Sequence, residues 1–304
     1  GGAVNANVNT QIEFDSCKFE GNSAEENSGG AIVVVGESRE NVSSCKVVRT
    51  SFQRNRSKMD GGAINSNIYT KISIEDCKFK NNNAEGSGGA VELVGEDGEK
   101  ASEAILTQTT FSGNRSKTGG GAVDAVEITC SVFEDCLFEN NRSEEDAGAV
   151  QIKGTDFAKY SEVTFQKTNF KENRAKQAGG ACNISIFTRA KFLDCTFHAN
   201  QAEGKHGGAI HIIGKNGQKP TEATFKQVNF LENISKMDGG AIHAADYSLA
   251  ILDKSKFDKN RAENSGGCIS MVGREDGFPT KITFRQTAFS DNSCMLDGGA
   301  IASG

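Results

Sequence analysis

Phe79-Lys80-Asn81-Asn82 followed by Gly88-Gly89-Ala90-Val91 decides the fold, because this pair of tags, F-x-x-N and G-G-A-[I/V], returns along the whole chain. The first tag places Phe at Phe19, Phe52, Phe79, Phe111, Phe138, Phe170, Phe197, Phe230, Phe257 and Phe289, each with Asn three residues later. The third position of the glycine tag falls at Ala3, Ala31, Ala63, Ala90, Ala122, Ala149, Ala181, Ala209, Ala241, Cys268 and Ala300, at intervals that alternate between 27 or 28 residues and 32. A short and a long unit therefore make a superperiod of 59 or 60 residues. A strict repeat of this length marks a stacked, quasi-one-dimensional architecture.

Composition agrees with that architecture. Thirty-five Gly, two Pro, no Trp and 36% hydrophobic residues among 304 suit short strands joined by tight turns rather than long helices. Uniform self-similarity argues for one continuous solenoid over residues 1–304, with no linker. The net charge of −6 arises from interspersed Lys, Arg, Asp and Glu, so no basic stripe marks a nucleic-acid partner. No apolar run approaches the 18 or so residues of a membrane-spanning helix, and no signal peptide is recognisable. Both termini fall at the start of a short unit, and no atypical capping unit precedes or follows. The expectation is a segment of a longer array, or a unit that stacks head to tail.

Within a unit, the glycine tag leads into alternation, as in Ala31-Ile32-Val33-Val34-Val35 and Ala209-Ile210-His211-Ile212-Ile213. A second strand precedes each Phe, as in Lys71 to Phe79, and polar residues between F-x-x-N and Gly-Gly read as turn. Long units carry an insertion after the first strand, at 36–38, 95–98, 154–156, 214–217 and 273–277, all leaving from one corner. Short parallel strands repeated every 30 residues or so describe a parallel β-helix. Ten coils at roughly 4.8 Å per rung span about 48 Å. In such a stack the Phe residues form an inward aromatic ladder, and the Asn residues bond their own turn and their copies above and below. Gly-Gly supplies the positive φ of a sharp corner, and the small Ala lets the next strand pack closely.

Repeated G-G-A-[I/V] with F-x-x-N resembles the polymorphic membrane proteins of chlamydiae and related outer-membrane repeat proteins. The resemblance covers essentially the whole chain. Departures from the glycine tag are few: Ala147 replaces the first Gly, Cys182 the aliphatic residue and Cys268 the Ala. The family implies a right-handed β-helix exposed at a cell surface and used in adhesion or as an autotransported passenger.

Candidate chemistry has a structural reading at nearly every position. Cys17, Cys77, Cys136 and Cys195 share one column in short units, where long units place Thr50, Thr109, Thr168 and Val228. Alternate coils set these thiols about 9.6 Å apart, beyond disulfide reach. Cys45 belongs to an inward column. For Cys130, Cys182, Cys268 and Cys294 the pairing stays open, with a local bridge or an intermolecular one through Cys294 as alternatives to free thiols. His211 and His243 follow the glycine tag in a column with Asn5, Asn65, Glu92, Asp124, Gln151 and Asn183, which reads as a solvated strand face; two imidazoles lack a third metal ligand. Asp60, Asp238 and Asp297 read as turn caps, and the acidic loop Glu96-Asp97-Gly98 lacks calcium-loop spacing.

Six sequons, at Asn41, Asn55, Asn114, Asn141, Asn183 and Asn233, are candidate N-glycosylation sites. Asn41 is expected in a protruding loop and Asn183 in the outward column, both open to a glycan. The other four are the Asn of F-x-x-N, where an inward ladder competes with modification; if they turn outward instead, the chain is a densely sugared rod.

The sequence thus points to an all-β, right-handed parallel β-helix of about ten coils acting as an extracellular rod or fibre. Its expected partners are further copies of the repeat and a cell-surface or glycan ligand, with no nucleic acid, cofactor, metal or catalytic residue. A bacterial autotransported adhesin that binds a host receptor is the alternative, and a carbohydrate-active β-helix enzyme a remote one.

Overall fold

The computed structural model describes residues 1–38, 40–95, 102–127, 129–155, 160–215, 219–273 and 279–304. Among them every regular element is a β-strand. The first coil carries β1 (Val4–Asn7), β2 (Gln11–Asp15), β3 (Lys18–Glu20) and β4 (Ser23–Ala24). Each begins its own sheet, and every later coil adds one strand in register, so the four sheets hold 11, 10, 10 and 9 strands, all neighbours parallel. The chain is a parallel β-helix.

The strand expected from Lys71 to Phe79 is two strands, Thr70–Glu75 and Lys78–Lys80, with Asp76 between them at φ 49°. The same left-handed corner recurs at Ser16, Arg49, Gln108, Asp135, Lys167 and Asp194. No glycine or asparagine marks it, because the ladder runs straight through: Asp76 N–H donates to Thr107 O at 3.1 Å, as Ser16 N–H does to Val48 O at 3.0 Å. Inter-coil hydrogen bonds hold a backbone conformation that side-chain preference alone disfavours. The segment expected as plain turn after F-x-x-N likewise contains a two-residue strand, such as Asn83–Ala84.

Alternation sends Ile32, Val34, Cys45, Val47 and Phe52, and their counterparts in each coil, into one continuous core. The ten tag Phe rings stack with centroids 4.6–5.2 Å apart. A second column, Phe133, Phe165, Phe192 and Phe225, meets the first ladder edge-on, as in Phe165–Phe170 at 5.4 Å and 73°. Burying one such ring is worth about 1.5–3 kcal/mol, before the geometry of the aromatic pair is added.

The two glycines of the tag do different work. Gly88 adopts φ +60°, whereas a Cβ on Gly89 would lie 2.1 Å from the carbonyl oxygen of Gly121 in the next coil. One turns the corner, and the other lets two backbones touch.

Of the insertions in long units, residues 96–98, 156, 216–217 and 274–277 lie outside the described residues, the acidic loop Glu96-Asp97-Gly98 among them.

Candidate functional site

The Asn of each F-x-x-N tag closes a hydrogen-bond chain along the axis. Asn55 Nδ2 donates to Asn82 Oδ1 at 2.9 Å and to Phe19 O at 3.1 Å, while its backbone N–H donates to the same Asn82 oxygen at 3.0 Å. Asn114, Asn141 and Asn233 repeat the arrangement, and all four side chains are fully buried. Both amide hydrogens are in use and no space adjoins them. That corrects their candidacy as glycan acceptors, and the densely sugared alternative falls with it.

Asn183 requires a second correction. It was expected on an outward, solvated column, yet it is only 5% exposed, as are Asn65 and His243, with Glu92 at 6% and Asp124 at 1%. These side chains do point away from the core. However, the segment that precedes each glycine tag lies across them: His206 stacks on His243 with centroids 4.3 Å apart, Ser87 bonds Asp124, and Asp60 acts on Glu92. The outer side of the first sheet is therefore a largely covered polar spine, buried at Asn65, Glu92, Asp124, Asn183 and His243, half-buried at Gln151 and His211, and exposed at Asn5. Asn41 alone among the six sequons is neither deeply buried nor held in a ladder; its Nδ2 donates to Glu37 Oε2 at 3.3 Å.

The spine has an acidic and an imidazole end. Glu92 Oε2 and Asp124 Oδ1 are buried without a hydrogen-bond partner. Burial, together with repulsion from neighbouring acids, pushes the Glu92 carboxyl well up, and burial raises Asp124 to about 7 against the opposing bonds from Ser87 and Gln151. At the other end the His243 ring is in contact with both His206 and His211, at centroid distances of 4.3 and 5.2 Å. Burial lowers all three imidazoles, His211 to about 3; the neighbouring rings add to the effect at His211 and His243, Lys205 adds to it at His206 and His211, and the Asp238 carboxylate opposes it at His206. His206 Nδ1 lies 3.1 Å from Asp238 Oδ2, yet is poorly directed for a hydrogen bond. Asp60 and Asp238 also cap the neighbouring turn, accepting from the backbone N–H of Ser87 at 2.8 Å and of Ser265 at 3.1 Å. No set of three His, Cys, Asp or Glu among the described residues is arranged to hold a metal ion.

All nine cysteines are free thiols. Burial raises Cys45, Cys136 and Cys195 to about 12 and Cys77 to about 11, far from a reactive thiolate. In their column thiol and hydroxyl alternate from Cys17 to Cys195, before Val228 breaks the pattern, with Cys17 N–H donating to Thr50 Oγ1 at 3.1 Å and Cys77 N–H to Thr109 Oγ1 at 3.4 Å.

The fourth sheet carries a charge pattern that tag-by-tag reading passes over. Two residues beyond the tag Asn plus one, the column reads Glu25, Lys58, Glu85, Lys117, Glu144, Lys176, Glu203, Lys236 and Glu263. Acid and base alternate with the short and long units, so unlike charges are neighbours at every rung and pair at four of the eight: Lys58–Glu85 at 3.0 Å, Lys117–Glu85 at 3.1 Å, Lys176–Glu144 at 3.5 Å and Lys236–Glu263 at 2.5 Å. Arg56, Lys58 and Lys117 together hold the Glu85 carboxyl down to about 2. The signal was available in the alignment of units but not in either tag.

Among known families, the model of the Chlamydia polymorphic membrane protein repeat matches residues 108–125. That span runs from the Phe111–Asn114 tag through Gly120-Gly121-Ala122, so the resemblance drawn from the tags holds at this repeat. No curated protein matches the chain. Solved structures similar to it include the catalytic domain of GH87 alpha-1,3-glucanase in complex with nigerose, at 10% identity and a TM-score of 0.40 over 97% of this chain and 61% of that one. The D1045A form of that domain gives 11% and 0.37. The chain thus spans under two thirds of these structures.

Proposed function

We propose that the chain is a rigid, non-catalytic segment of a cell-surface repeat protein, a rod that holds a repeated outer surface away from its anchor. The observation that carries this reading is the unbroken ladder of stacked Phe and bonded Asn from coil to coil. Such ladders resist bending. The match to a chlamydial surface-protein repeat supports the location, and no helix among the described residues is long and apolar enough to cross a membrane. Head-to-tail association belongs to the proposal, since the edge strands of a stack present the same backbone pattern as its interior.

Electron microscopy of the purified chain tests the rod, with particles about 48 Å long, or end-to-end multiples of that length, as the expected result. Compact or flexible particles overturn it. Adhesion is the finer reading: removal of the long-unit insertions should abolish cell attachment while leaving the rod intact. Hydrolysis of a glycan panel would instead revive an enzymatic role.

A further inference from the structure

The column directly after the tag Asn behaves differently from its neighbour. It reads Ser23, Arg56, Asn83, Arg115, Arg142, Arg174, Gln201, Ile234 and Arg261, and strand register places Arg115 beside Arg142 and Arg142 beside Arg174. Three guanidinium groups are thus stacked on consecutive coils, roughly 4.8 Å apart at the backbone. Like charges directly opposite each other destabilise a sheet, and two residues away the same chain avoids this by strict alternation. The acids nearby leave the stack incompletely neutralised. Glu85 is already held by Arg56, Lys58 and Lys117, Glu144 meets Lys176, and Glu172 meets Lys171. Glu203 serves Arg142 at 3.0 Å and Arg174 at 3.9 Å, and Arg115 has no carboxylate partner among the described residues.

The stack lines two adjoining surface grooves. One is bounded by Asn83, Arg115, Lys117, Arg142 and Lys176 with Glu144 as its single acid, the other by Asn81, Arg115, Asn140, Arg142 and Arg174 with Glu172 as its single acid. We propose that this face, across three consecutive coils, binds an anionic polysaccharide bearing sulfate or uronate groups, laid along the solenoid axis. Each guanidinium offers a planar fork that suits sulfate or carboxylate, and each rung brings the next fork to the next acidic group of an extended polymer. Asn81, Asn83 and Asn140 add amides suited to sugar hydroxyls. No aromatic side chain lines either groove, so the stacking platform that single-stranded nucleic acid requires is lacking. The proposal rests on the surface-rod reading only for where such a polymer is met; binding itself is read on the purified chain, so either can fail alone.

The test is retention and titration calorimetry of the purified chain at 0.15 M salt on a heparin-type sulfated oligosaccharide and on oligogalacturonate. Binding to either supports the proposal, and the arm that binds identifies the acid. R115Q/R142Q/R174Q should weaken it at least tenfold with a Tm no lower than that of the wild type. R54Q/R56Q/R261Q, which removes the same charge from unstacked positions, should stay within twofold. Absence of wild-type binding to both glycans, equal loss in the two triple variants, or equally tight binding of single-stranded DNA of the same charge would each overturn it.

Discussion

Ala147 occupies the corner that Gly fills at 29, 61, 88, 120, 179, 207, 239, 266 and 298, and it takes the same left-handed conformation, φ 57°. An L-residue with a Cβ there costs roughly 1–2 kcal/mol relative to Gly, partly offset by the greater freedom of Gly in the unfolded chain. Ala147→Gly should therefore stabilise the protein by about 1 kcal/mol in chemical denaturation, and no gain would mean that the neighbouring coils hold the corner without strain. The opposite sign is expected one column away. Asn141 accepts from the backbone and side-chain N–H of Asn114 and donates to Phe111 O and Asn173 Oδ1. Asn141→Ala strands several buried groups at once, at about 3–5 kcal/mol. The same bonds imply that glycopeptide mass spectrometry of material from a glycosylating host should find sugar at Asn41 and none at Asn55, Asn114, Asn141, Asn183 or Asn233. Occupancy at any of those five would mean the ladder or the spine is open.

The covered spine on the first sheet makes opposite demands on pH at its two ends. His211, lowered to about 3, stays neutral in the fold where the unfolded chain takes up a proton near pH 6.5, and burial shifts His206 and His243 in the same direction. The share of His211 in stability is whole above about pH 6.5 and declines as pH falls toward 3, by up to about 1.4 kcal/mol per unit, and the other two rings act in the same direction. His211→Asn should flatten the fall in Tm between pH 7 and 5. Asp124 runs the other way: raised to about 7, it holds its proton in the fold between about pH 4 and 7 while the unfolded chain gives it up, so stability is lost as pH rises through that window. Asp124→Asn should stabilise at pH 8 by roughly 1–4 kcal/mol and change little at pH 4. Equal effects at both pH values would show that the carboxyl is ionised in the fold. This spine also marks the limit of sequence reading. Alternation gave the direction of Glu92, Asp124, Asn183 and His243 correctly, away from the core. It could not tell that direction from exposure, because the cover is a turn segment of no regular period that crosses the sheet. The corner at Asp76 was hidden for a related reason, being held by bonds between coils rather than by a residue type. The parallel β-helix, by contrast, was legible because one coil's pattern is repeated ten times and backbone register follows directly from it. The Arg stack lay equally open in the aligned units but fell outside both tags.

Why a superperiod of two coils exists follows from what stacks on what. With every coil identical, Glu would sit on Glu and Lys on Lys along the fourth sheet, and each long-unit insertion would meet another one rung away. Alternating units instead place Glu144 between Lys117 and Lys176, and Cys136 between Thr109 and Thr168. The two-coil repeat is thus the smallest unit that neutralises its own neighbours. Removing residues 122–180, a complete superperiod of 59, joins Gly121 to Ala181 and keeps the alternation. Removing 122–148, a single short coil of 27, joins Gly121 to Ala149 and stacks Lys117 on Lys176 and long unit on long unit. The informative readout is the unfolding midpoint, which in a solenoid depends only weakly on coil number and strongly on the poorest interface between neighbours. The larger deletion should leave the midpoint nearly unchanged. The smaller one should lower it by about 2–4 °C for each kcal/mol lost to like-charge contact and crowded insertions. If the midpoint instead falls in proportion to the residues removed, alternation is a trace of how the chain was duplicated rather than a condition of its stability.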